Sequence, residues 1–375
     1  MTKIPYSAQG ANFMYTFGTQ FEKLLQNIVP PKDRLKTAKE LPPKVREYLE
    51  KHTEFVTISP HTRLAGSYAQ DTSVGDVKDV DFLVRVPGKP EENQPDAKKM
   101  IKELKNVLED LPNALGYSGY SQIDDIEIER ARRSVHVYFK NQDFHIDVVP
   151  CVAPDGFDKP IFVPDRGFNK WIPSHPIGYI NLLQELNDKH SGKVRPLIKL
   201  MKHFRDVQMK NRKPKSYWLG SLVIHHVCKK NGLDMSLSLA ELFRDLCDAI
   251  YIQYDHLLKA SDSATPNIPD PLLGHNISWN WQRTHFETFM RRLDEGRSLA
   301  DKALKTDDRE TALDAWQKIF GEEFFERNIE EDAAKLAAIL MPGNSFITST
   351  GAIKSQASAS EKNIPVKGTT FHGET

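Results

Sequence analysis

Two aspartates one residue apart, Asp79-Val-Asp81, open an apolar strand-like run that continues Phe-Leu-Val. Successive strand side chains point to opposite faces, so Asp79 and Asp81 share one face while Val80 and Phe82 take the other. Neighbouring carboxylates repel each other, and burial makes the repulsion worse. A divalent cation between them removes the cost; hard cations such as Mg²⁺ take oxygen ligands together with substrate phosphates. Upstream, Gly66-Ser67 stands where a phosphate-cradling turn is expected. Gly admits a close backbone approach there, and Ser offers a hydroxyl. A third acid, Asp147, lies in the alternating run Phe144-His-Ile-Asp-Val-Val, where an unpaired carboxylate between Ile and Val is costly. A salt bridge or a solvated strand edge would account for any single acid. Three of them on two strands favour a shared metal.

Gly66-Ser67, Asp79-Val-Asp81 and Asp147 together resemble the signature of the polymerase-β-like nucleotidyltransferase superfamily. From about Phe13 to Phe325 the chain is similar to one of its branches. That branch holds cyclic GMP-AMP synthase, oligoadenylate synthase and the CD-NTases (cGAS/DncV-like nucleotidyltransferases) of bacterial anti-phage (CBASS) signalling. The likeness sharpens at Ile198-Lys199-Leu-Met-Lys202-His-Phe and at Ser216-Tyr217. It implies an α+β fold: a polymerase-β-like core, with a mixed sheet and flanking helices, plus a C-terminal helical lobe. It also implies two Mg²⁺ ions, or Mn²⁺ in their place, on Asp79, Asp81 and Asp147, with ATP or other NTPs as substrates. By the same resemblance Gly66, Ser67, Lys202 and Ser216 hold the donor triphosphate, Lys199 makes a secondary phosphate contact, and Tyr217 stacks on the base. The implied product is a cyclic di- or trinucleotide second messenger that activates a separate effector.

The residues themselves are compatible with this and narrow it. Between Lys193 and Lys215 there are nine Lys/Arg and one acid, Asp206. A solvated helix face is the ordinary meaning of such a run, but a bound triphosphate needs cationic partners. Ser216 would serve equally as a helix cap, and Tyr217 as core. His145 shares the face of Asp147, where it can contact substrate or pack. Trp279-Asn-Trp281 suits packing or a base-contacting loop.

The chain as a whole has 51 basic and 51 acidic residues, a balance that argues against a stable nucleic-acid partner. Cys151, Cys228 and Cys247 are odd in number and widely spaced, which fits a reducing cytoplasm and neither a disulfide framework nor a zinc finger. Neither a signal peptide nor a membrane-spanning run is expected. Two other activities use the same acids: template-independent nucleotide addition to RNA, and nucleotidylation of a protein or small molecule. A catalytically silent sensor would have no need of three repelling carboxylates.

The expected organisation is a nucleotidyltransferase core with N-terminal helices over 1–192, a helical domain over 193–340 and a flexible tail over 341–375. A conjugating or regulatory protein acting on that tail is a candidate partner. Helices are expected over 13–28, 33–52 with a break or kink at Pro42-Pro43, 96–111, 194–210, 217–230, 239–251, 284–304, 308–320 and 331–340. Strands are expected at 55–58, 126–128, 135–139 and 144–149, with 150–176 irregular and helix from Tyr179. Capping boxes are read at Ser238/Glu241 and Asp307/Glu310.

Overall fold

The computed structural model describes residues 17–88, 96–116, 125–260 and 264–326, and the backbone of residues 346–347, 353–354 and 364–365. In chain order come α1 (Gly18–Ile28), α2 (Lys32–Lys51), β1 (Thr62–Ala65), the single turn α3 (Gly66–Ala69) and β2 (Asp79–Arg85). Next are α4 (Ala97–Leu108), α5 (Leu111–Ala114), β3 (Ile126–Arg130), β4 (Val135–Phe139) and β5 (Phe144–Cys151). A hairpin, β6 (Ile161–Asp165) and β7 (Lys170–Ser174), leads to α6 (Pro176–Lys189), α7 (Val194–Gln208), α8 (Ser216–Cys228), α9 (Leu239–Leu258), α10 (Arg283–Lys305) and α11 (Arg309–Phe320).

One five-stranded sheet runs β1-β2-β5-β4-β3. β2 and β5 are parallel and the other neighbours antiparallel, so the sheet is mixed. The alternation of β2 and β5 places Val80, Phe82, Val84, Ile146 and Val148 on one buried face. There they meet Ile101, Leu104 and Leu108 of α4 and Val45 and Leu49 of α2. That face fixes the register, because a slip of one residue would turn every apolar side chain outward. The acids are left on the opposite face.

The second core is helical. It gathers α7 to α11 and also takes in Tyr179 and Leu183 of α6 and Phe21, Leu24 and Ile28 of α1. Phe21 sits edge-on to Trp316 at 5.0 Å and to Phe325 at 5.5 Å. Trp281 is buried against Trp218 at 5.0 Å, whereas Trp279 is exposed.

Four expectations need correction. Residues 55–58 are not a strand, because His52 Nδ1 accepts from the backbone N–H groups of Glu54 and Phe55 and turns the chain there. Helix α2 is continuous across Pro42-Pro43, so the expected break is not there; Leu41 and Pro42 are both buried, and packing outweighs the missing donors. The segment 150–176 carries the β6–β7 hairpin, whose Pro164 and Pro173 pair with Trp171 and Phe162 in a two-stranded ribbon that tolerates proline. The cap of α11 is Asp308, which accepts from Thr311 N at 3.0 Å, one residue beyond Asp307. The expected helix 331–340 lies outside the described residues. So does the tail, apart from three two-residue strands, β8 (Phe346–Ile347), β9 (Ile353–Lys354) and β10 (Ile364–Pro365), paired antiparallel in the order β10-β8-β9.

The docking of α1 is directly testable. Phe21→Ala removes a fully buried ring, and a loss of about 3–5 kcal/mol is expected in urea unfolding. An unchanged midpoint would mean that α1 does not rest on the helical core.

Candidate active site

The parallel register of β2 and β5 sets Asp81 directly beside Asp147 and Asp79 beside His145. On the far side of Asp147 stands His136 of β4, and beyond His145 stands Tyr138. On the near side of Asp81 is Ala65, the last residue of β1. The three sequence-predicted acids therefore meet on one face of two adjacent strands.

Gly66 follows Ala65 with φ +68°, and a Cβ built on it would fall 1.7 Å from Asp81 Oδ2. No other residue type fits, since the backbone turns over the carboxylate itself. Desolvation beneath this turn, followed by the charges of Asp147 and Asp79, pushes Asp81 up to about 7. Burial first, with Asp79 adding to it, pushes Asp147 up to about 6, against the opposing pull of His145. Asp147 Oδ1 is buried and makes no hydrogen bond of good geometry, although His136 Nε2 lies 2.9 Å away. Carboxylates this crowded and this poorly supplied with donors fit a divalent cation.

A cleft of about 300 Å³ opens over Asp79 and Asp81, with Asp147 outside its lining. Gly66, Ser67, Asp79 and Asp81 line one side, and Tyr179, Lys202, Arg205, Ser216 and Tyr217 the other. Lys202 is buried; desolvation, then the neighbouring Arg205 and Lys199, lowers its ammonium to about 7. Its Nζ donates to the carbonyl and hydroxyl oxygens of Thr72 at 2.8 and 2.9 Å. Ser216 Oγ accepts from Arg205 Nη1 at 2.9 Å. The Tyr217 hydroxyl donates to Asp270 Oδ2 at 2.7 Å, and its ring lies 5.1 Å from that of Tyr179. Ser67 Oγ accepts from Ser73 Oγ at 3.1 Å.

Lys199 is not part of this lining. Its Nζ is 2.9 Å from Asp71. Arg195, one turn earlier, donates from Nε to Gln70 O at 2.9 Å. Arg195, Lys199 and Lys202 recur at helical spacing on one face of α7, and together they grip residues 70–72, in the loop that leads to the acid strand. The basic run thus has a structural use that its sequence does not reveal. Tyr179 and Arg205 also line the cleft and were not singled out for the site from the sequence. Arg205 had a signal, three residues after Lys202 on the same helix; that Asp270 meets Tyr217 follows only from the fold.

A mixed sheet that gathers acids against a cationic helix is the architecture of a nucleotidyltransferase. The chain matches the Second Messenger Oligonucleotide or Dinucleotide Synthetase domain (SMODS) over residues 15–187. It is 28% identical over 322 residues to a cyclic AMP-AMP-AMP synthase of an Acinetobacter strain, covering 84% of this chain and 87% of that protein. It is 27% identical to a probable cyclic AMP-AMP-GMP nucleotide synthase of Salmonella paratyphi B, over 44% and 42% of the two chains. Among solved structures, E. coli CdnC with ATP superposes with a TM-score of 0.63 at 17% identity, covering 82% of this chain and 98% of that one. Vibrio cholerae DncV in its apo form superposes with a TM-score of 0.54 at 16% identity, covering 83% and 88%. These matches support a nucleotidyltransferase that resembles the CD-NTases.

The raised carboxyls make a stability prediction. A folded-state value above the unfolded one means that the native state binds more protons, so metal-free stability falls as pH rises from about 4 to about 7. Asp81→Asn removes that penalty. In EDTA at pH 8 its melting temperature should exceed that of the parent by a few degrees, at about 2–4 °C per kcal/mol, with the gap closing towards pH 4. Calorimetry across this pH range checks it; a variant less stable at pH 8 would contradict the crowding of the acids.

Proposed function

We propose that the chain joins nucleoside triphosphates into a cyclic di- or trinucleotide second messenger, with anti-phage defence as its biological setting. The observation that carries the reading is that Asp81, beneath Gly66 and in register with Asp147, lines with Asp79 one cleft whose other side carries Lys202, Arg205, Ser216 and Tyr217.

Asp79, Asp81 and Asp147 would hold two divalent ions, Mg²⁺ or Mn²⁺. Bound there, the ions supply a lowered pKa for the acceptor ribose hydroxyl and charge neutralisation at the departing pyrophosphate. The rest falls to the protein. Gly66 leaves the backbone free to approach phosphate oxygens, and Ser67 offers its hydroxyl. Lys202 and Arg205 face the triphosphate from α7, and the charge that develops on pyrophosphate meets cations already fixed in place. Ser216 is held by Arg205 for the same task. Tyr217, its hydroxyl tied to Asp270, presents a preset ring to a base, a contact worth about 1–3 kcal/mol. The acceptor oxygen attacks the donor α-phosphorus, the bond to the bridging oxygen breaks, and pyrophosphate leaves. A second attack of the same kind, within the linear dinucleotide, closes a two-membered ring; for a trinucleotide a third NTP is joined first and the third attack closes the ring, each attack releasing one pyrophosphate.

ATP is the first substrate to offer, because the 28%-identical relative is a cyclic AMP-AMP-AMP synthase. A solved CdnC structure holds a HORMA protein, which supports a regulatory protein partner here. The product would act on a separate effector. Among the described residues no helix is long and apolar enough to cross a membrane, and a cytoplasmic site of action is part of the proposal.

Incubation with all four NTPs and Mg²⁺ or Mn²⁺, then phosphatase and mass spectrometry, tests the reading. A phosphatase-resistant cyclic species is expected, absent from an Asp79→Asn/Asp81→Asn control. Linear products, or label transferred to added RNA or protein, would replace cyclisation with nucleotide addition. Arg205→Ala should lower kcat/KM for NTP by about 10²-fold, as loss of a fixed transition-state donor does. An unchanged value would remove Arg205 from the phosphate site.

A further inference from the structure

Next to the acids is a group of side chains that the proposed reaction does not employ. His136 of β4 stands opposite Asp147 in register, and His145 precedes Asp147 by two residues on the same face of β5. Both histidines point at one atom. His136 Nε2 is 2.9 Å and His145 Nε2 is 3.8 Å from Asp147 Oδ1. The two rings are 5.2 Å apart, and one ligand atom from each of the three residues lies within 4.8 Å of the others. Neither histidine side chain is sealed off, with 37% and 27% of their surfaces exposed, so an ion from solvent can reach them.

We propose that His136, His145 and Asp147 form a transition-metal site that takes Zn²⁺ or Co²⁺ in preference to Mg²⁺. Ligand bonds of about 2.1 Å to a common ion would set these two nitrogen–oxygen separations at angles of about 87° and about 130°, and the ligand atoms, now within 4.8 Å of one another, would have to draw to within about 4.2 Å on binding. Two imidazoles and a carboxylate suit borderline cations, whereas Mg²⁺ demands oxygen and keeps its waters. Asp79 and Asp81 offer oxygen alone and remain a hard-cation pair. Asp147 therefore belongs to both ligand sets, and an ion on the imidazoles competes for it. The site needs neither turnover nor cyclisation, so it stands or falls separately from the reaction proposed above. The competing account is a hydrogen bond from His136 that merely orients the Asp147 carboxylate.

Cobalt separates the two accounts, because its visible absorption reports imidazole coordination without any assay of activity. The full chain is stripped with EDTA and titrated with Co²⁺, then challenged with Zn²⁺ and with excess Mg²⁺. A His-dependent band is expected that Zn²⁺ abolishes and Mg²⁺ does not. His136→Gln keeps a donor for Asp147 but removes the imidazole; it should weaken Co²⁺ binding by at least about 10-fold, and His145→Gln likewise. Asp79→Asn should leave the band in place. If the His136→Gln/His145→Gln double variant, folded by circular dichroism, binds Co²⁺ as the parent does, the site is overturned. Displacement of Co²⁺ by Mg²⁺ at equal concentration would also overturn it.

Discussion

The pairing of β2 with β5 is the constraint on which the rest of the molecule depends. It brings Asp81 and Asp147 side by side, an arrangement unfavourable in itself. The pairing survives because the other face of the same two strands buries Val80, Phe82, Ile146 and Val148 almost completely. Hydrophobic burial of about 25 cal/mol per Å² acts on every second residue, while the repulsion acts on a few. The apolar face thus imposes the register, and the register imposes the geometry of the acids. Gly66 belongs to the same constraint: the backbone can turn over Asp81 only where no side chain is present.

Charge on the two sides of the cleft is unbalanced in opposite senses. Burial and like charges favour the protonated carboxyl of Asp81, and burial with neighbouring cations favours the neutral amine of Lys202. Asp206 and Asp79 pull Lys202 the other way, but burial and the neighbouring Arg205 and Lys199 outweigh them. A ligand that carries a cation to the acids and a polyanion to the helix relieves both at once. A metal-bound nucleoside triphosphate has that distribution of charge. Perturbation in opposite directions within one cleft is a stronger functional indication than either shift alone.

Much of this was legible in the sequence because it rests on short-range pattern. Alternation in β4 and β5, the apolar stripe of α4 and the Ser238 capping box depend on neighbours two to four residues away. The unread parts depend on distant partners. The stripe of α1 declares that a face is buried; it does not declare that the face lies on Trp316 and Phe325. Pro164 and Pro173 argue against strands until their positions in a two-stranded ribbon are known. His136 lacks any motif, and it joins the acids only through the antiparallel register of β4 with β5.

The cationic face of α7 shows how one stretch can serve two purposes. Read as a phosphate site, Lys199 and Lys202 should both be free to meet an anion. Instead Arg195, Lys199 and Lys202 hold Gln70, Asp71 and Thr72, and the next part of that loop is fixed by Gly75 N–H donating to Ile28 O at 2.7 Å. The loop joins the Gly66 turn to Asp79, so its position determines where the turn sits over Asp81. Lys202 is the residue where the two purposes meet: it lines the cleft and also grips Thr72. An anion that draws Lys202 Nζ into the cleft must compete with the two oxygens of Thr72, and through them it acts on the loop that carries the acids. If Lys202 holds the triphosphate as proposed, binding there would act on the placement of the acid strand through this one side chain, with α1 and α7 as the supports.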